Sequence, residues 1–386
     1  MTAAAHLGWG PLRDVRVVEF GHFVAAPYST LQLALYGAEV IKIESTARPD
    51  MWRLREGEAD LHASVPFADH NKNKLSVTLD LKEPAAREAV LDLVAHSDAV
   101  VENFSYGVLE RLGLGYDELA ARRPDLVMVS LQGFGRSGPL RDAVALGPSL
   151  MACSGMTSLW SDDVHDPVGS QTSYPDYIVG LQAAFVLVSA LRERERTGAG
   201  RYVEFAQFDA VLGLIGPALA LAAAGGDPGR ATLGPPAPSG VYRCAGEDRW
   251  CAVEVWTAQH RAGLDRAVPG LAGRAADDVP ALLGSWTAER AAADVMRVLQ
   301  QHGVPAGVVN DGRDLTLDPQ LRARGFATGT GHPVLGDVAL PGLPVRHTGS
   351  GGPRITRHAP LLGQDRDDVL SRVLGLAPDE IAALPA

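Results

Sequence analysis

Apolar residues in the first half of the chain gather in short blocks. VRVVEF (15–20), AEVIKIE (38–44), KLSVTLDL (74–81), DAVVENF (98–104) and DLVMVSLQGFG (125–135) are each of strand length and rich in aliphatic residues, and each is predicted to form a strand. Between them the apolar positions take a helical period. YSTLQLALYG (28–37) reads as a helix ended by Gly37. EPAAREAVLDLVAHS (83–97) places Ala86, Val90, Leu93 and Val94 on one stripe, and LERLGLGYDELAARRP (109–124) is helical with a break. Strands alternating with helices predict an α/β fold whose parallel sheet is covered on both faces. Ligands bind such sheets beyond the carboxyl ends of the strands.

The pattern changes near residue 225. AAAGGDPGRATLGPPAPSG (222–240) has the glycine and proline content of a linker, and GVYRCAGEDRWCAVEVW (240–256) reads as a β-hairpin turning around Gly246–Asp248. WTAERAAADVMRVLQQHG (286–303) is predicted as a helix ended by Gly303. The expected organisation is a large domain begun by residues 1–224, a small α+β domain at 225–325, and a C-terminal segment, 326–386, that returns to the large domain.

Composition narrows the function classes. The chain has 386 residues, a formal charge of −11 and a pI near 5.5, which argues against a nucleic-acid partner and against polybasic membrane attachment. The apolar stretches Tyr177–Leu191 and Val211–Ala224 fall short of about 18 uninterrupted residues, so no membrane span is expected. The N-terminal sequence lacks a charged region followed by an apolar core, so no signal peptide is read there. Three cysteines, Cys153, Cys244 and Cys251, without CxxC spacing argue against disulfides and zinc and for a cytoplasmic protein. The lysines are Lys42, Lys72, Lys74 and Lys82 alone. Either arginine is simply preferred throughout, or the lysines form a cationic cradle for an anionic ligand.

Three stretches carry candidate chemistry. GFGRSG (133–138) matches a dinucleotide-binding pattern, but Pro139 follows it and no acidic residue stands about 20 positions on, so a glycine turn is the better reading. Cys153 would need a nearby His or cation to become a nucleophile; His165 is the neighbour in sequence, and a buried, inert thiol is expected instead. Asp176 precedes YIVGLQAAFVLVSAL, a helix apolar on nearly every face. Asp176 or Ser173 could be its N-cap. The same helix end is expected to lower the pKa of Asp176 and keep it ionised, as a carboxylate nucleophile requires.

The segments YGAEVIKIES, NKNKLSVTLDLK, DAVVENFSYGVLERLGLGYDELAARRPDLVMVSLQGFGRSGP, PDYIVGLQAAFVLVSALRERERTGAGRYVEFAQFDAVL, GVPAGVVN and LDPQLRARGF resemble, in order, those of the class III CoA-transferases, the CaiB/BaiF family that includes formyl-CoA transferase. The resemblance implies a Rossmann-like large domain, a smaller domain and an interlocked homodimer. It implies Asp176 as nucleophile and a CoA site formed by Leu79, Lys82, Asn103, Phe104, Arg111 and Leu112. In this setting Lys82 and Arg111 would meet phosphates and Phe104 the adenine. His22, Val24, Ala25, Gln132, Gly133 and Gly135 are the candidates for the acyl pocket or for oxyanion donors. In the formyl-CoA:oxalate branch a glutamine stands where this chain has Val24 and an arginine where it has Ser45. Oxalate is therefore not the expected acceptor, and Arg48 or Arg53 are the nearest replacements for that arginine.

The reaction so implied moves CoA from an acyl-CoA to a free carboxylic acid, with no metal and no bound cofactor (an EC 2.8.3 activity). Two alternatives are an acyl-CoA racemase or isomerase that uses Asp176 as a base, and a CoA-binding protein without catalysis.

Overall fold

The computed structural model describes residues 9–54, 60–160, 169–170, 172–226, 238–349 and 351–386. It divides into two compact units, Met1–Leu219 with Gly325–Ala386, and Ala220–Arg324.

The first unit is built on six parallel strands, β1 (Arg16–Phe20), β2 (Glu39–Glu44), β3 (Leu75–Thr78), β4 (Ala99–Glu102), β5 (Val127–Gln132) and β6 (Arg201–Ala206), in the order β3-β2-β1-β4-β5-β6. This is the doubly wound order, and its direction reverses between β1 and β4. The register there runs from Val17 opposite Ala99 to Phe20 opposite Glu102. Covered on both faces, the inner strands read as nearly continuous apolar runs, which is why five of the six were legible in the sequence. One core lies under the helix Pro84–Ala95 and the C-terminal helices Arg366–Leu374 and Pro378–Ala383. The other lies under Ala25–Leu35 and the long helix Tyr174–Thr197. Those last two helices cross closely at Gly180, where a Cβ would stand 3.0 Å from the Tyr28 ring and 3.1 Å from the Ala25 carbonyl. Two further strands, β10 (Ala327–His332) and β11 (Gly336–Pro341), pair antiparallel in the same unit.

The second unit holds an antiparallel sheet of β7 (Gly240–Arg243), β8 (Trp250–Val253) and β9 (Ala306–Val309). The expected hairpin is present, and its turn places Gly246 and Asp248 at positive φ. The helix expected over 286–303 is instead two helices, Val279–Ala288 and Ala292–Gln301. The first ends in a turn in which Arg290 donates to the Thr287 carbonyl, and the Thr287 hydroxyl bonds the carbonyl of Arg243 on β7. Packing against the hairpin therefore interrupts a stretch whose apolar spacing continues. Most of the expected linker lies outside the described residues.

One sequence expectation, a buried Cys153, is corrected. The helix Tyr174–Thr197 is long and apolar enough, by length and composition, to cross a membrane. Its best 18-residue window has mean hydropathy 1.4, and 44% of that window is buried inside the protein. Cys153, expected to be buried, is exposed on the helix Gly147–Cys153, while Cys244 and Cys251 are buried. His165 lies outside the described residues.

Candidate active site

The strands stop earlier than the apolar runs do, and the residues left over become the site. β3 ends at Thr78, so Leu79–Lys82 turn away from the sheet. β4 ends at Glu102 and frees Asn103 and Phe104. With the segments after β1 and β2 they enclose a cavity of about 400 Å3 at the reversal point of the sheet. Its lining includes His22, Ser45, Arg48, Leu79, Lys82, Phe104, Arg111 and Leu112. Three cations, Arg48, Lys82 and Arg111, thus face one cleft together with an aromatic ring. That is the chemistry of a site for a polyanion.

A second cavity, of about 230 Å3, adjoins the first. It is lined by Asn103, Gln132, Gly133, Arg141 and Asp176 among others, and shares His22, Phe104 and Ser105 with its neighbour. The His22 and Phe104 rings meet edge to face at 5.4 Å. Asn103 fixes the junction: its Oδ1 accepts from the His22 N–H at 3.0 Å and its Nδ2 donates to the His22 carbonyl at 2.9 Å.

Asp176 stands in the first turn of its helix, three residues after the N-cap Ser173. Ser173 makes no capping bond to the backbone; its hydroxyl donates to the Asp176 carboxylate instead. The carboxyl is held above its usual range, because burial outweighs the Ser173 hydroxyl and its own N–H. The expected lowering by the helix end is therefore overturned: the loss of solvent is the larger effect. A poorly solvated carboxylate is also the more reactive one. Gly147 makes the approach possible, since a Cβ there would overlap both the Ser173 hydroxyl and Asp176.

Beneath the loop that carries His22 lies a buried ionic cluster. Glu19 pairs with Lys42 and Lys74, each at 2.8 Å, and Lys42 pairs with Asp50 at 2.9 Å, all four side chains being fully buried or nearly so. Burial raises the Glu19 and Asp50 carboxyls, but the lysines outweigh it and both are lowered; Lys42, opposed by burial, is raised by Asp50 and Glu19. Lys74, buried and repelled by Lys42, is pushed down to about 8. The cluster shapes the cleft: Lys42 Nζ donates to the Gly21 carbonyl, and Asp50 accepts from the N–H of Phe23, a residue at φ 61°. Such a strained non-glycine residue persists only where its surroundings over-determine it. His22, half-buried beside Asp50 and Lys42, has its pKa lowered by partial loss of solvent and is neutral near pH 7.

Leu79, Lys82, Phe104, Arg111 and Leu112 line the larger cavity, and Asn103 lines the smaller. The lysine cradle does not form: Lys42, Lys72 and Lys74 are buried in ion pairs with carboxylates, and Lys82 alone reaches the cleft. Arg48 lines the cleft, whereas Arg53 is buried against Glu44 at 2.9 Å. Val24 and Ala25 are buried at the start of the helix that follows β1 and line neither cavity; neither does Gly135. Gln132 does, but its amide nitrogen donates to Glu102 at 2.8 Å. Glu102 was not singled out from the sequence. It is buried at the end of β4, accepts also from Ser130 and from the Phe104 N–H at 2.7 Å, and burial pushes its carboxyl up to about 7. The available signal was positional: a carboxylate at the carboxyl end of a parallel strand. Among the described residues no group of three or more His, Cys, Asp or Glu is placed to hold a metal ion.

The fold that carries this cleft and the half-buried Asp176 has known counterparts. Residues 12–366 match CoA-transferase family III, and the chain belongs to that family. It is 31% identical to the succinyl-CoA–D-citramalate CoA-transferase of Chloroflexus aurantiacus over 97% of both chains. It is 32% identical to a probable CoA-transferase of Mycobacterium tuberculosis over 99% of this chain, which spans 50% of that relative's length. The crystal structure of a CaiB/BaiF family protein from Brucella suis superposes with a TM-score of 0.84 at 26% identity, covering 95% of this chain and all of the other.

Proposed function

We propose that this chain moves CoA from an acyl-CoA to a free carboxylic acid through covalent intermediates on Asp176. The observation that carries the reading is the continuity of the two cavities. A CoA whose phosphates meet Arg48, Lys82 and Arg111 can lead its thioester past His22 and Phe104 to the Asp176 carboxylate.

Asp176 attacks the thioester carbonyl; the C–S bond breaks, leaving an acyl-aspartyl anhydride and CoA thiolate. The thiolate attacks the aspartyl carbonyl and releases the first acid, giving an aspartyl-CoA thioester. The acceptor carboxylate attacks that thioester, forming a new anhydride. The returning thiolate attacks the acceptor acyl carbon and frees Asp176. No proton is gained or lost in the cycle, so the neutral His22 is not needed as a base. The backbone N–H of Gly133 is the candidate for stabilising the tetrahedral oxyanions, since that of His22 is held by Asn103.

The test is to incubate the enzyme with acyl-CoA alone and add hydroxylamine. A hydroxamate on the peptide containing Asp176 supports the reading. The raised pKa of Asp176 would also suit a base in an isomerase. In that case no adduct forms, and α-hydrogen exchanges with solvent.

The working form is proposed to be a cytoplasmic, interlocked homodimer. Leu181, Phe185 and Val188 fall at i, i+4 and i+7 on the outer face of the Asp176 helix and are exposed, Phe185 by 73%. A second copy would cover this stripe. Sedimentation of the wild type and of Phe185→Asp checks it: a wild-type monomer would rule the dimer out.

A further inference from the structure

The cavity at Asp176 has a composition of its own. Among the described residues that line it, Arg141 is the one permanent cation, and Asp176 the one carboxylate. His22 is neutral there because burial lowers its pKa. Arg141 sits on the segment 139–146, which closes the cavity with Ala143, Val144, Ala145 and Leu146. That segment approaches the end of β5 closely, since a Cβ on Gly133 would lie 2.6 Å from the Ala145 methyl. The guanidinium is 5.5 Å above the Tyr106 ring, and its Nε faces only the adjacent Asp142 at 3.3 Å, both side chains being exposed. Such a pair is weak. Its two terminal nitrogens make no hydrogen bond to any described residue.

Resting on the CoA-transfer reading, we infer that the acceptor is a short dicarboxylic acid, and that Arg141 is the residue that selects it by binding the carboxylate that does not react. One carboxylate of the acceptor must reach Asp176. An apolar wall beside it suits a methylene chain, and a forked cation beyond suits a second carboxylate bound by two parallel N–H donors. A monocarboxylic acid of the same length would leave Arg141 unused.

The test compares succinate with butyrate as acceptors at one fixed acyl-CoA donor, in the wild type, Arg141→Met and Arg141→Lys. The expected wild-type kcat/KM ratio favours succinate by roughly tenfold or more, the ratio collapses in Arg141→Met, and Arg141→Lys restores part of it. The KM for acyl-CoA is expected to stay the same in all three. Calorimetric titration of succinate and butyrate into each enzyme saturated with free CoA reads the same preference without turnover. Equal binding of the two acids by the wild type, or equal loss of both in Arg141→Met, overturns the inference. If no acid accepts CoA while succinate still binds through Arg141, the transfer reading fails and the subsite stands.

Discussion

Gly147 and Asp176 are in contact across the starts of two helices, and a side chain at 147 would occupy the place of the carboxylate. Gly147 does not have a positive φ, so its backbone suits alanine and only the contact is at stake. Gly147→Ala is therefore expected to lower kcat about 100-fold by moving Asp176, with a small change in Tm. Turnover and thermal melts of the purified variant check this.

Asp176→Asn and Asp176→Ala should abolish transfer. Stability should respond in a definite direction with pH. The folded carboxyl is raised, so the native state holds the proton more tightly than the unfolded chain. The stability it contributes is complete at low pH and is lost as pH rises through the raised value. The Tm of Asp176→Asn relative to wild type should thus climb as pH rises from about 4. A difference that falls with pH would contradict the burial described for this side chain.

Glu102 should behave likewise at higher pH. Its carboxyl, raised to about 7 by burial, takes part of its stabilising effect away between the ordinary carboxylate range and pH 7, at most about 3 kcal/mol. Glu102→Gln should flatten the loss of stability over that window. It should also raise the KM for acyl-CoA, since Glu102 fixes the Phe104 N–H. Urea unfolding at several pH values and steady-state kinetics separate the two effects.

Lys82→Ala and Arg111→Ala should each raise the KM for acyl-CoA roughly tenfold through lost charge-assisted bonds to phosphate, with kcat little changed. The effect should shrink in high salt. Kinetics at two ionic strengths read it out, and an unchanged KM in both variants would move the CoA site elsewhere.

Lys42→Met should cost about 3–5 kcal/mol of stability, because Glu19 and Asp50 would remain buried without their common partner. Denaturant unfolding measures this. An exposed lysine in a phosphate cradle would have lost almost nothing.

The sequence by itself determined five of the six strands of the first unit's main sheet and the family. Strands covered on both faces must be apolar throughout, so VRVVEF and DLVMVSLQ announce themselves, and a helix such as 83–97 shows its buried stripe at its own period. The resemblance carried Asp176 and the residues that surround the larger cavity, because those segments keep their order along the chain.

What the tertiary structure alone decided is whatever depends on groups distant in sequence. A lysine reads the same whether it faces phosphate or a buried carboxylate; the register of β1, β2 and β3 brings Lys42 and Lys74 to Glu19, 23 and 55 residues away. The helix end argued for a lowered Asp176, and the walls that close over it raised it instead. Arg141 could not be told from any other surface arginine until the contact between Gly133 and Ala145 folded its segment over the cavity. Periodicity is a short-range property of the chain, whereas desolvation and charge pairing are set by the three-dimensional neighbours, and the chemistry of this site rests on the latter.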